Sequence, residues 1–523
     1  MKKLRITNYE LRGKFNVLGS KFSSIFKFSN FQIDNCHLSI INYQLLVFFI
    51  LFVITSCKVD DTVVEESTGY SQEIGSILLT KCAVSGCHTD KSKEAAAGLS
   101  LETWDKMMQG GNNGAVTIPF NHGQSTAFLF TNTYSDLGAS VSPTMPVGGD
   151  PLSKNEVITL RDWIDGGAPN RDGIIKFSDN RSRKKIYITN QGCDLVAVVD
   201  EQTNLIMRYV SVGNSENVEG PHMVRVSPDG KYWYVVFINS TVMQKFNAID
   251  DSYVEEVEIG YGSWNTMTIS KDSKTAFAVD WEANGQVACV DLETMTLKKL
   301  YKGSNLFIYP HGSTLNDSAT VLYLTAQTGN FIYKVNITDI NFPDIEEISM
   351  VPGEAPSSVS SLDAHDIILS PDQTKYFVTC QKSNEVRVMD AKADTLITVI
   401  PVGIYPSEFA LSLSNNYLFI SCTEDTIQFP SLGRGCISVI DYVNNTLVKN
   451  IFSGYQPHGL SVDDNNQYVY VANRNATSGG IAPHHTTECG GRDGYLTLID
   501  MSTLELSDFK TELSVDPYSV AVR

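Results

Sequence analysis
The sequence predicts a multidomain chain: a small all-α domain over residues 71–170, then an all-β propeller of seven blades over residues 184–523. Three observations carry this. A β-rich unit recurs seven times after Lys184. Upstream of it, apolar residues fall at helical spacing on either side of a paired-cysteine motif. The chain also ends on a strand, residues 518–523, with nothing after it to pair with, while the first repeat lacks a strand before it. Recurring units of this length mark a stacked β architecture, and helical periodicity marks a separate packing solution.

A chain of 523 residues exceeds one ordinary core, and 42% hydrophobic with 19% charged residues suits folded domains. The formal net charge is −19, yet the first 57 residues carry seven Lys/Arg against two acids. The remainder is strongly acidic. It repels phosphate backbones, which excludes nucleic acid as a partner, and steers basic proteins towards it. After the basic start comes an apolar run, residues 45–54, about half of what a membrane-spanning helix needs. That length suits the core of an export signal. Ile54-Thr55-Ser56-Cys57 follows and resembles a bacterial lipoprotein box, which implies that Cys57 carries a lipid. Residues 1–57 therefore read as a signal peptide with its lipobox, and 58–70 as a linker. An uncleaved anchor helix from near Leu38 is the alternative. Either way the rest of the chain lies in the cell envelope, held to a membrane on its periplasmic or cell-surface side.

The motif Cys82-Ala83-Val84-Ser85-Gly86-Cys87-His88 offers two thiols followed at once by an imidazole. Covalent haem attachment needs that order, with Cys-x-x-Cys-His the usual form. Four residues stand between the cysteines here, and the same spacing also suits a small disulfide loop. Ile74, Ile77 and Leu78 predict a helix running into Cys82. Downstream come Gly98-Leu99-Ser100-Leu101, Gly110-Gly111-Asn112-Asn113-Gly114 and Pro143-Thr144-Met145-Pro146. Ser153 and Glu156 form a capping-box pattern, so a last helix begins near Ser153 with Val157, Leu160 and Ile164 as its apolar face. This ordered set resembles the planctomycete-type cytochrome c domain. The resemblance implies haem c on Cys82 and Cys87, with His88 and Met145 as axial ligands. His122 is another imidazole of the segment, in a loop that matches no ligand position of that family. Met107 and Met108 read as packing residues, Trp104 and Trp163 as neighbours of the macrocycle, and residues 171–183 as a linker.

Each repeat closes its second predicted strand on Asp or Asn before a polar turn: Asp200, Asn247, Asp291, Asn336, Asp390, Asp441 and Asp500, 44 to 59 residues apart. Such periods fit four-stranded blades. The units resemble YVTN-type propeller repeats, and the last strand is expected to complete the first blade and remove both open edges. Aligning the inner strands on their turn positions brings His222, Asn265, His311, His365, Ser407 and His458 into one column, with Tyr518 as the seventh. In a propeller this column enters the central channel. A long loop over residues 474–494, with His484 and His485, opens on the same face.

Two uses of the column stand open. Pro-His-Gly commonly starts an inner strand in YVTN-type repeats, and its imidazole can hydrogen-bond the next blade. Alternatively His222, His311, His365, His458, His484 and His485 hold a metal; imidazoles without carboxylates suit copper better than calcium or magnesium. Nitrous oxide reductases carry a histidine-bound copper cluster on a propeller, and cytochrome cd1 joins haem c to one, but no aligned motif carries either activity over. Three functions remain: electron transfer to a redox partner protein, an oxidoreductase with copper or a second cofactor in the propeller, and a non-redox surface-binding lipoprotein. Cys422 and Cys436 flank one loop and suit a disulfide; Cys193, Cys380 and Cys489 are further candidates, and Cys289 reads as a buried thiol.

Overall fold
A computed structural model describes residues 67–475 and 494–523. Cys57, the apolar run before it, His484, His485 and Cys489 lie outside the described residues.

Helix Gln72–Lys81 starts where the Ser71 side chain accepts the Ile74 N–H, and it buries Ile74, Ile77 and Leu78. It delivers Cys82 at its C-terminal cap. Helix Lys154–Asp165 starts with the capping box that the sequence predicts, Ser153 and Glu156 each accepting the other's backbone N–H. Its Val157, Leu160 and Ile164 pack on Ile77, Phe128 and Leu129. Lys81 joins Glu156 across the two helices at 2.7 Å. Between them the α-helical stretches are single turns, Trp104–Met107 and Thr126–Leu129. The region is thus less helical than an all-α domain. The cause is local: Gly98, Gly110 and Gly114 take positive φ, and a Cβ on Gly110 would stand 2.2 Å from the Gly114 carbonyl oxygen. Backbone that must turn this tightly cannot wind into a helix.

Most of residues 171–183 are exposed, and two side chains tie the segment down. Phe177 joins an apolar cluster with Tyr187, Trp233 and Phe246, and Arg183 pairs with Asp179 at 2.8 Å and Asp200 at 3.0 Å.

From Lys185 onward the chain forms seven four-stranded antiparallel sheets, one per blade. Six sheets use consecutive strands. The first takes the C-terminal strand Pro517–Val522 as its innermost member, paired with Lys185–Asn190, so the ring closes as the sequence predicts. All seven closing residues end the third strand from the axis. Their side chains cap the turn that follows. Asp291 accepts the Glu293 N–H at 3.0 Å, Asp390 the Lys392 N–H at 2.9 Å, and Asp500 the Ser502 N–H at 2.8 Å. This local bond is why Asp or Asn recurs there. Large side chains fill the seams between blades: the Trp233 and Phe246 rings stack at 3.9 Å and share a cluster with Tyr187 of the first blade.

The helical region meets the ring at its closing seam. Ile118 packs among Ile188, Leu496 and Leu513. The Glu512 N–H donates to Asn113 O at 3.0 Å, which partly covers the outer strand Glu505–Leu513 of the last blade.

Candidate functional site
Two clusters carry chemistry, one in each region. In the helical region Cys82 is buried and Cys87 half-buried. Both are free thiols, so the small disulfide loop that their spacing also allows is not formed. The loop is folded by its own backbone: Cys87 N–H donates to Val84 O at 2.9 Å and His88 N–H to Cys82 O at 3.2 Å. Burial pushes the Cys82 thiol up to about 11, and the Cys87 sulfur adds to that rise. His88 Nδ1 lies 3.3 Å from Leu99 O. A carbonyl only accepts, so Nδ1 is the donor of this bond and Nε2 is the nitrogen that can serve another partner. Leu101 N–H returns to His88 O at 2.9 Å.

Met145 belongs to a separate loop, tied by its N–H to Phe130 O at 2.7 Å, with its side chain half-buried. His122 is paired with Asp165 at 2.8 Å. Trp104 and Trp163 donate their indole N–H groups to Ala168 O and Pro169 O, both at 2.9 Å. Met107 and Met108 are core residues.

In the propeller, the seven aligned residues each stand at the entry of an inner strand, and all are buried. The pairing register slips at these entries, as between Ala364 and Ile367 or Pro406 and Phe409. A bulge of this kind re-aims the side chains beside it. The rings form one arc. Centroids lie 3.9 Å apart for His311 and His365, 5.9 Å for His365 and His458, 3.8 Å for His458 and Tyr518, and 4.1 Å for His222 and Tyr518.

The four imidazoles do not share one environment. His222 Nδ1 donates to Asn265 O at 2.7 Å and His311 Nδ1 to His365 O at 3.1 Å, each bond reaching the next blade. His365 and His458 stand instead beside Glu408. One ligand atom from each of these three buried residues lies within 4.8 Å of the others, the one such group of His, Cys, Asp or Glu among the described residues. His365 Nδ1 and Glu408 Oε1 are 4.0 Å apart.

The sequence reasoning missed Glu408 and its neighbour Asp366. Both occupy the position just after the aligned column, where the Pro-His-Gly blades carry Gly312 and Gly459. Those glycines are required: a Cβ on Gly312 would stand 2.5 Å from the Asp366 Cα, and one on Gly459 2.2 Å from Tyr518 O. Burial pushes both carboxyls above the usual carboxylate range; Asp366 raises Glu408 further, and Arg225 opposes both shifts. Asp366 accepts N–H bonds from Ile367 at 2.8 Å and Phe409 at 3.1 Å.

A cavity of about 360 Å³ opens on His365 and His458, with Gln381, Tyr405, Glu424 and Arg474 also in its wall. Its rim draws on a second column, the residue after the second strand in four of the blades: Trp281, Gln327, Gln381 and Thr423. There Trp281 donates to Gln327, Gln327 to Gln381 at 3.3 Å, and Gln381 to Ser407 Oγ at 3.1 Å. Asp516 fixes Arg474 through two bonds, 2.6 and 2.9 Å long. Aligning that second position would have found the rim.

Cys422 and Cys436 are register partners across one strand pair and are present as thiols, not as the expected disulfide. Their mutual contact, then burial, pushes the Cys436 thiol far up. Cys380 and Cys289 are buried thiols, and Cys193 is disulfide-bonded.

No family model matches the chain. Antigen Lp49 of Leptospira interrogans is 30% identical over 112 residues, which are 20% of this chain and 24% of that protein's own length. The chain thus matches about a quarter of that relative. Three solved structures share low identity with it. Hydrazine synthase of Kuenenia stuttgartiensis is 17% identical, with a TM-score of 0.45 over 56% of this chain and 90% of that one. A putative 6-phosphogluconolactonase from Bacteroides uniformis is 13% identical, with a TM-score of 0.49 over 65% of this chain and 100% of that one. A functionally unknown protein from Desulfotomaculum acetoxidans is 11% identical, with a TM-score of 0.47 over 64% and 100%.

Proposed function
We propose that the chain is an electron-transfer protein of the c-type cytochrome kind, held in the cell envelope by a lipid on Cys57. Residues 71–170 hold haem c, and the propeller docks the redox partner. One observation carries this reading: Cys82 and Cys87 are both unbonded thiols, in a loop closed by an imidazole whose proton is fixed on Nδ1. Haem c bound there supplies one-electron exchange between ferrous and ferric iron.

The residues divide the work. Cys82 and Cys87 would hold the haem by thioether bonds to its two vinyl groups, sulfur going to one carbon and the thiol hydrogen to the other, so no external oxidant would be needed. His88 offers the Nε2 lone pair to iron, while Leu99 O orients the ring and raises its basicity, as outer partners of ligating histidines do. Met145 would hold the iron through its thioether, a donor that would favour the reduced metal and raise the potential. The acidic surface draws in a basic partner protein.

Haem staining after denaturing electrophoresis tests this, with protein made in a strain that matures haem c. The expected result is haem that stays with the chain and is lost in Cys82→Ala/Cys87→Ala. A chain without covalent haem from such a strain overturns the reading and leaves a non-redox binding propeller.

A further inference from the structure
We propose that the propeller channel holds a late first-row divalent metal ion, zinc or copper, on His365, Glu408 and His458, with a further coordination position facing the cavity. The inference goes beyond the haem reading and does not rest on it. The three donors come from three successive blades, each at or next to the entry of its inner strand. They are 3%, 7% and 3% exposed, and their ligand atoms lie within 4.8 Å of one another. An ion needs only a small closure of this set to reach ordinary bond lengths of about 2.0–2.2 Å.

Both imidazoles are already oriented. The His311 ring lies against His365 at 3.9 Å, and Tyr518 stacks on His458 at 3.8 Å with a 28° interplanar angle. The His311 Nδ1 bond to His365 O fixes the backbone under one ligand. Such outer support is the usual companion of a metal site. The donor set selects the ion. Two imidazoles are borderline donors and outnumber the one hard carboxylate, which favours zinc and copper over calcium and magnesium, and the stability order places those two high among divalent ions. Three protein ligands with one open position are the arrangement of catalytic rather than structural zinc. His365 and His458 face a cavity whose wall also holds Gln381, Tyr405, Glu424 and Arg474, so the occupant of that position is a small polar molecule. His222 and His311 stand outside the set, because neither brings a ring nitrogen into the group whose ligand atoms lie within 4.8 Å of one another.

The full-length protein is loaded with Zn²⁺ alone or Cu²⁺ alone, desalted, and its zinc and copper counted, so that haem iron does not enter. One retained ion per chain is expected, and the ion retained distinguishes the two metals. Glu408→Gln, which keeps the side-chain size, should weaken retention by at least about 10-fold, the cost of disturbing even an outer partner. His222→Asn should leave it unchanged. Retention of neither ion, or equal retention in Glu408→Gln, overturns the site. Should Glu408→Gln fail to fold, electron paramagnetic resonance of the copper-loaded unsubstituted protein decides. Coupling to two ligand nitrogens supports the site, and any other pattern overturns it. Haem staining of the same sample reads the cytochrome proposal separately.

Discussion
His458 in the channel is 3% exposed and stacked on Tyr518, with its neighbours fixed by strand pairing on both sides. His88 is half-buried on a loop, and one ring hydrogen bond to Leu99 sets its orientation. The channel thus gets its geometry from long-range pairing. The loop gets its geometry from contiguous residues and gains most from whatever binds it. Changes in the ring should therefore act on folding, and changes in the helical region on local order and on binding.

The largest expected effect tests the ring. A chain stopped before Pro517 loses the inner strand of the first blade and exposes Lys185–Asn190 as an open edge. Loss of the cooperative thermal transition is expected, and an unchanged melt would show that closure does not hold the propeller. Next is Trp233→Ala, which empties the seam between the first two blades. It should cost roughly 3–5 kcal/mol in denaturant titration, with covalent haem per folded chain unchanged. The smallest is Ser153→Ala, which removes one helix cap at a cost of about 1 kcal/mol. Hydrogen exchange should rise over Lys154–Asp165 and stay constant in the blades. Faster exchange throughout the blades would show that the two regions open as one unit, and the comparison would fail.

The parts legible in the sequence are those fixed by neighbours in the chain. Ser153 and Glu156 meet within one turn, and each closing Asp or Asn bonds a backbone N–H just beyond it. The aligned histidines were readable because the blade period repeats. Glu408 was not, because its column runs Met223, Thr266, Gly312, Asp366, Glu408, Gly459 and Ser519, with no common chemistry. Its meaning arises only where one blade meets the next. The middle of the helical region was misjudged for a related reason. Positive-φ glycines direct the backbone there, and they leave no hydrophobic period to read.

Ring closure by Pro517–Val522 also orders events during biosynthesis. The first blade is begun before the other six and finished after them, since its innermost strand follows theirs in the chain. Until then the nascent chain is an open crescent, and the cover that Asn113 places on Glu505–Leu513 must wait as well. The ring cannot close before that strand is made, so a message stalled ahead of it leaves the first blade with three strands.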